Sequence, residues 1–272
     1  MSDPIPFVPL QSAPPPFAML RCPNMYAIAS GKGGVGKTWF SITLCHTLAK
    51  AGKRVLLFDG DLGLANVDIQ LGLTPDRDIA HVTEGQMELA EAVTTYAEGP
   101  FDILAGRSGS GNLATMPQQK LTDLRTSLID MAKNYDFVFV DLGAGIDRAV
   151  RQMAGPAAAT YVVITDEPTS LTDAYAFIKL SRAANPSADL RVVVNMASSS
   201  MEGARTYDTI TNASRAFLKY EPKLAGVVRR DSKVRDAIRA QTPLLIRSPS
   251  ADAALDVEAI AKKLLAEQQV GA

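Results

Sequence analysis

The sequence has little of what would mark several common classes of protein. It holds 2 cysteines, Cys22 and Cys45, and 2 histidines. That is too few for a disulfide scaffold or an all-cysteine metal site. Cys45 and His46 are neighbours, yet no third ligand stands at metal spacing, so packing is their expected role. No run approaches 18 consecutive apolar residues, which excludes a conventional membrane-spanning helix. Neither charge dominates: 28 Lys+Arg face 29 Asp+Glu, for a net charge of −1. A chain so balanced is not built to coat nucleic acid or an anionic membrane, although a local basic patch stays open. Sparse cysteine fits a reduced, cytoplasmic setting.

What is present is apolar material, 47% of 272 residues, distributed in two ways. Met1–Pro23 contains seven prolines and neither a basic start nor an unbroken apolar stretch, so it does not read as an export signal. Proline fixes φ and removes a donor, and residues 1–23 are expected to stay outside helix and sheet. They are either a solvated leader or a partner-docking segment. Residues 24–272 read as one domain.

In that domain short apolar runs alternate with helical patterns. Strands are expected at Met25–Ser30, Arg54–Asp59, Phe101–Ala105, Phe137–Val140, Thr160–Thr165, Leu190–Asn195 and Leu224–Val228. Helices are expected at Lys37–Ala51 (Phe40, Leu44 and Leu48 on one face, Gly52 ending it) and on the stripe Leu121, Leu124, Leu128, Met131. Further ones fall at Asp147–Ala158, Ser170–Ala184, Met201–Tyr220 and Ala251–Gln268, the last with Leu255, Ile260 and Leu264. The strands are continuous apolar runs, as strands covered on both faces require. The expected fold is α/β: a single doubly wound, mostly parallel sheet with helices on both faces.

The chemistry begins between the first strand and the first helix. Gly31, Lys32, Gly33, Gly34, Val35, Gly36, Lys37 and Thr38 satisfy G-x-x-x-x-G-K-[ST] in the strand–helix context that gives the pattern meaning. Glycines let successive N–H groups turn toward phosphate oxygens, and the helix start favours anions. Lys37 can reach β- and γ-phosphates and the Thr38 hydroxyl can ligate Mg²⁺, so Mg-ATP is the expected ligand. Trp39 follows directly and is either core or a wall beside the nucleotide. Lys32 is a second lysine where a phosphate loop needs one. It is either a surface charge or a cation aimed at phosphate from another direction.

Acids close two of the strands. Asp59 and Asp61 end the second, and Asp141 ends Phe137–Val140 and opens a stretch with Gly143 and Gly145. Ligands in open α/β sheets bind at the carboxyl ends of strands, so these acids should face the phosphates. Alternatively each is a cap or turn residue. Asn195 ends a strand with an amide suited to a base edge, or simply turns the chain.

Lys32 within this loop resembles the deviant Walker A signature of the MinD/ParA ATPases, and the resemblance extends over nearly all of residues 25–268. It implies an ATP-dependent homodimer in which Lys32 contacts the phosphates of the opposite subunit while Lys37 serves its own. It further implies that Asp61 positions the attacking water, that Asp59 supports the metal and that Asp141 holds Mg²⁺ through water. Asn195 and the loop Arg229, Arg230, Asp231 would lie beside the base.

The stretches Asp59–Gly72, Ile103–Gly109 and Thr165–Ala174 resemble the FlhG (FleN/YlxH) branch, regulators of flagellar number and placement. Thr165–Ala174 is otherwise a strand–helix turn capped by Ser170 or Thr172. The implied partners are an FlhF-type GTPase, a flagellar transcriptional regulator or switch-complex proteins. Two features depart from the branch. The tail lacks a glutamine-rich activation motif, and the final helix sets Lys262 and Lys263 against Asp252, Asp256, Glu258 and Glu267. Membrane association is therefore expected to be weak or partner-dependent, with recruitment to membrane or pole through partners. Two alternatives are a ParA-type DNA-partition protein, using Arg229, Arg230, Lys233, Arg235 and Arg239, and a nucleotide-gated scaffold with negligible hydrolysis. Asp231 and Asp236 interrupt that basic cluster, so nucleic acid is not the expected partner.

Overall fold

A computed structural model describes residues 21–61, 63, 65–106 and 113–271. The tail up to residue 20, Leu62, Leu64 and the segment 107–112 of the branch-like stretch Ile103–Gly109 lie outside the described residues. In chain order the elements are β1 (Cys22–Ala29), α1 (Lys37–Lys50), β2 (Val55–Gly60), α2 (Val67–Leu71), α3 (Ile79–Thr83), β3 (Val93–Tyr96) and β4 (Phe101–Leu104). Then come α4 (Gln118–Ala132), β5 (Phe137–Leu142), α5 (Arg148–Ala154), β6 (Ala157–Ile164), α6 (Pro168–Ala184), β7 (Leu190–Ala197) and α7 (Ser200–Leu218). The last four are β8 (Lys223–Arg229), α8 (Ser232–Arg239), α9 (Leu244–Arg247) and α10 (Asp252–Gly271).

The strands form one sheet in the order β3-β4-β2-β5-β1-β6-β7-β8. All neighbours are parallel except β3, which pairs antiparallel with β4 at one edge. Alternation along each strand sends side chains to two separate cores. In β1, Tyr26 and Ile28 join Phe40, Leu44 and Leu48 of α1 and Val257, Ile260 and Leu264 of α10. Met25, Ala27 and Ala29 join Leu121, Leu124 and Leu128 of α4 and Phe177 and Ile178 of α6. Both faces are therefore apolar, and this accounts for the unbroken runs in the sequence.

β1 and β5 lie at the centre, with β2 beyond β5 on one side and β6 beyond β1 on the other. The chain leaves β1 toward β2 and later crosses back to β6, so the loop after β1 opens at the point where strand order reverses. That is where an α/β sheet holds ligands.

The structure departs from the sequence reading at several points. Pro23 belongs to β1, and the Cys22 N–H donates to the Pro156 carbonyl at 2.8 Å. Pairing with β5 begins only at Met25 and the β6 register slips between Cys22 and Tyr26, so no ladder donor is needed at Pro23. The helix expected through Ala158 stops at Ala154, because Gly155 and Pro156 break it. Ala157 and Ala159 instead pair with β1. The short strand Val93–Tyr96 carried too weak a pattern to be read. Finally, Leu255 is not core: it is 46% exposed, while Ala254, Val257, Ile260, Ala261 and Leu264 are buried.

The α10 face sets up a direct comparison. Ile260→Ala is expected to cost about 2–5 kcal/mol, through lost burial and a cavity. Leu255→Ala, on the exposed face, should stay within about 0.5 kcal/mol. Chemical denaturation of the two variants checks the assignment, and equal losses would contradict it.

Candidate phosphate-binding site

Residues Gly31 to Thr38 join β1 to α1. Gly36 takes φ 88°, the left-handed region, and a β-carbon there would lie 2.4 Å from Asn195 Nδ2. Only glycine meets both constraints at once. Asn195 is buried and donates from Nδ2 to the Val35 carbonyl at 2.7 Å. Its amide therefore braces the loop from the end of β7. Ser30 Oγ donates to the Lys32 carbonyl at 2.6 Å, and the Gly145 N–H donates to the Ser30 carbonyl at 2.9 Å. The second contact ties the glycine-bearing segment after β5 to the loop.

Lys37 starts α1 and is buried. Burial lowers its ammonium pKa, and the nearby charges of Asp141 and Asp61 oppose that shift. Asp59 and Asp141 face each other in register on the adjacent parallel strands β2 and β5. Both are about 1% exposed. Burial pushes the Asp141 carboxyl up to about 6, against the pull of Lys37 and of the Thr38 and Ser41 hydroxyls. Those hydroxyls lie near without closing a bond of full geometry: the Ser41 hydroxyl donates to the Lys37 carbonyl at 3.0 Å, and among the described residues both Asp141 oxygens lack a hydrogen-bond partner.

Asp59 is held differently. Its oxygens accept from the N–H groups of Asp61 at 3.2 Å, Asn66 at 3.0 Å and Val67 at 3.1 Å. The carboxylate thus closes the loop after β2 and anchors the start of α2. Burial and the neighbouring Asp141 still push it up to about 7, with the three N–H groups opposing. Asp61 is partly exposed, beside Gly143 and close enough to influence both Lys37 and Asp141.

These residues suit a hydrated divalent cation. Two buried carboxylate oxygens without donors sit beside the Thr38 hydroxyl, and burial alone would keep such an acid protonated. Among the described residues no group of three or more His, Cys, Asp or Glu could enclose a metal unaided. An ion here would take its remaining ligands from water and phosphate, the usual condition of Mg²⁺.

Beside the loop lies a cavity of about 670 Å³ walled by Gly36, Trp39, Asn195, Met196, Arg229, Arg230, Asp231 and Arg235. Trp39 meets both expectations, being packed in the core and also lining this cavity. Its buried Nε1 has no partner among the described residues. Arg229 and Asp231 reach the wall with their polar groups engaged. Arg229 donates from its backbone N–H and from Nε to Asp256 of α10, both at 2.9 Å, and pairs with Asp252 at 3.0 Å. Asp231 caps α8 by accepting from the Lys233 N–H.

The sequence reading did not find the residues around Lys32. Its ammonium is ion-paired with Glu167 and donates to Thr169 Oγ1 at 2.9 Å. Both partners sit at the start of α6, in the segment read only as a turn. Ser170 and Thr172 do not cap that helix. Pro168 occupies its first position, where a missing N–H costs nothing, and Ser170 Oγ instead accepts from the Thr165 N–H at 3.0 Å.

The raised carboxyls set a pH dependence. A folded pKa above the unfolded 3.8 stabilises the fold at low pH, and that contribution is lost as pH rises through about 6–7. Asp141→Asn removes one buried charge and relieves Asp59. Without nucleotide it should therefore raise stability by about 1–3 kcal/mol at pH 8 and by less at pH 5. Melting temperatures at both pH values check this; a gain independent of pH would contradict the assignment.

The model of the CobQ/CobB/MinD/ParA nucleotide-binding domain matches residues 26–244. The antiactivator FleN of Pseudomonas aeruginosa is 39% identical over 241 residues, 89% of this chain and 86% of that protein. The flagellum site-determining protein YlxH of Helicobacter pylori is 29% identical over 247 residues, 90% and 83% respectively. Among solved structures, the MinD cell division protein of Aquifex aeolicus superposes with TM-score 0.73 at 26% identity, covering 89% of this chain and 97% of that one. The chain belongs to the CobQ/CobB/MinD/ParA family of nucleotide-binding proteins and is similar to FleN and YlxH over most of its length.

Proposed function

We propose that the chain is a MinD-like ATPase switch that acts on flagellar number or placement through partner proteins. One observation carries the chemical half of this reading: Lys37 and Thr38 stand over a buried, donor-free Asp141 at the switch point of the sheet. The likeness to FleN and to the flagellum site-determining YlxH supports the biological half.

In this reading the loop N–H groups and Lys37 bind the phosphates of ATP, and the cavity walled by Trp39, Asn195 and Arg229–Asp231 takes the base. Thr38 and Asp141 would hold Mg²⁺, which when bound neutralises charge developing on the phosphates. Asp59 acts through the loop it closes, because its oxygens are already occupied by N–H groups. Asp61, partly exposed at the start of that loop, orients the attacking water. Lys32 reaches the phosphates of a second subunit, so ATP joins two chains into a sandwich and slow, partner-stimulated hydrolysis releases them. The partners fit the flagellar GTPase, transcriptional regulator or switch-complex classes.

The basic cluster near β8 favours no second reading. Arg229 is neutralised by Asp252 and Asp256, and Arg230 and Arg235 line the cavity beside the loop. This leaves little of the cluster for a DNA backbone, which needs several free cations along one face.

Light scattering after size exclusion tests the switch. Wild type should form a dimer with Mg-ATP and stay monomeric with ADP, and Lys32→Ala should remain monomeric with both. Asp61→Ala should keep nucleotide affinity and lose at least about 100-fold in turnover. Unchanged turnover in that variant would remove Asp61 from its role.

A further inference from the structure

We propose that Glu167, assisted by Thr169, holds the Lys32 ammonium within its own subunit and thereby restrains ATP-dependent dimerisation. The proposal rests on the sandwich reading above, in which that same ammonium must reach phosphates across an interface.

The contact joins the second residue of the phosphate loop to the start of α6. Lys32 pairs with the Glu167 carboxylate and donates to Thr169 Oγ1 at 2.9 Å. The backbones beneath are fixed. A β-carbon on Gly31 would lie 2.4 Å from the Asp173 carbonyl carbon, so loop and helix touch at that point. Ser30 Oγ holds the Lys32 carbonyl at 2.6 Å, and Pro168 pre-sets the first turn of α6. Two long side chains that meet by chance lose their pairing energy to side-chain entropy. Here the backbone positions are set by packing and by other bonds, so less remains to be lost.

A carboxylate and a phosphate oxygen compete for one cation. When Lys32 turns to a second subunit, the Glu167 pair opens and an unpaired carboxylate is left facing an interface that brings in triphosphate. Like charges placed together oppose association. Lys32 is 34% exposed and Glu167 58%, so each pair is worth a modest factor, roughly 1.5–5-fold. Every dimer opens two of them, which multiplies to roughly 2–25-fold.

The test is sedimentation of wild type, Glu167→Gln and Lys32→Ala over a concentration series with a non-hydrolysable Mg-ATP analogue, with ADP as control. Melting temperatures confirm that Glu167→Gln, a substitution at an exposed site, is folded. Glu167→Gln should dimerise at roughly 2–25-fold lower concentration than wild type and stay monomeric with ADP. Its advantage should shrink as salt is raised. If wild type dimerises, Lys32→Ala does not, and Glu167→Gln matches wild type or is weaker, the restraint is wrong while the sandwich stands. If neither wild type nor Glu167→Gln dimerises, the sandwich reading falls and takes the restraint with it. A dimer formed by Glu167→Gln alone supports both.

Discussion

The side chain of Asp141 is sealed from water at the end of β5, and Lys37, at the first position of α1, is the cation that makes its charge tolerable there. Burial disfavours both charges, and each partly offsets the cost of the other. Their proximity dictates much else. Helix α1 must begin one residue after Gly36 turns through the left-handed region, and β5 must stand next to β1 so that its end lies under the loop. Asp59 then arrives beside Asp141 by register alone, since β2 and β5 pair residue for residue. It stays there because three backbone N–H groups occupy its oxygens. Two adjacent buried acids beside one lysine leave a site that favours an added divalent cation. Strain of this kind persists at sites where a ligand relieves it.

The sequence made legible those parts of the molecule that depend on local pattern. Parallel strands buried on both faces read as apolar runs, and the loop from Gly31 to Thr38 is contiguous, so both could be seen without coordinates. Contacts between distant residues could not. Glu167 lies 135 positions from Lys32, and nothing in its own neighbourhood marks it as a partner. Arg229 counted as a free positive charge until α10 brought Asp252 and Asp256 to it. Leu255 was grouped with Ile260 and Leu264 because it is large and apolar, whereas three of the six buried residues described in α10 are alanines, Ala253, Ala254 and Ala261, that periodicity arguments discount. Pro23 entered a strand because the neighbouring registers leave a gap at its position, a property of three strands together.

The two lysines of the loop therefore answer to different constraints, although they stand only five positions apart. Lys37 is buried, its charge opposed by desolvation and supported by two acids, so it is committed to the interior of its own subunit. Lys32 is accessible on a rigid backbone, and its partner belongs to another element. A lysine buried like Lys37 could not cross an interface without abandoning Asp141. An accessible lysine held by one surface carboxylate can exchange that partner for another anion at modest cost. The difference in burial, rather than the shared residue type, is what would let one loop serve its own nucleotide and, in the proposed sandwich, a second chain. It also explains how a protein of net charge −1 can be organised around binding an anion: the relevant field is set over a few ångströms by which charges are buried and which are free to move.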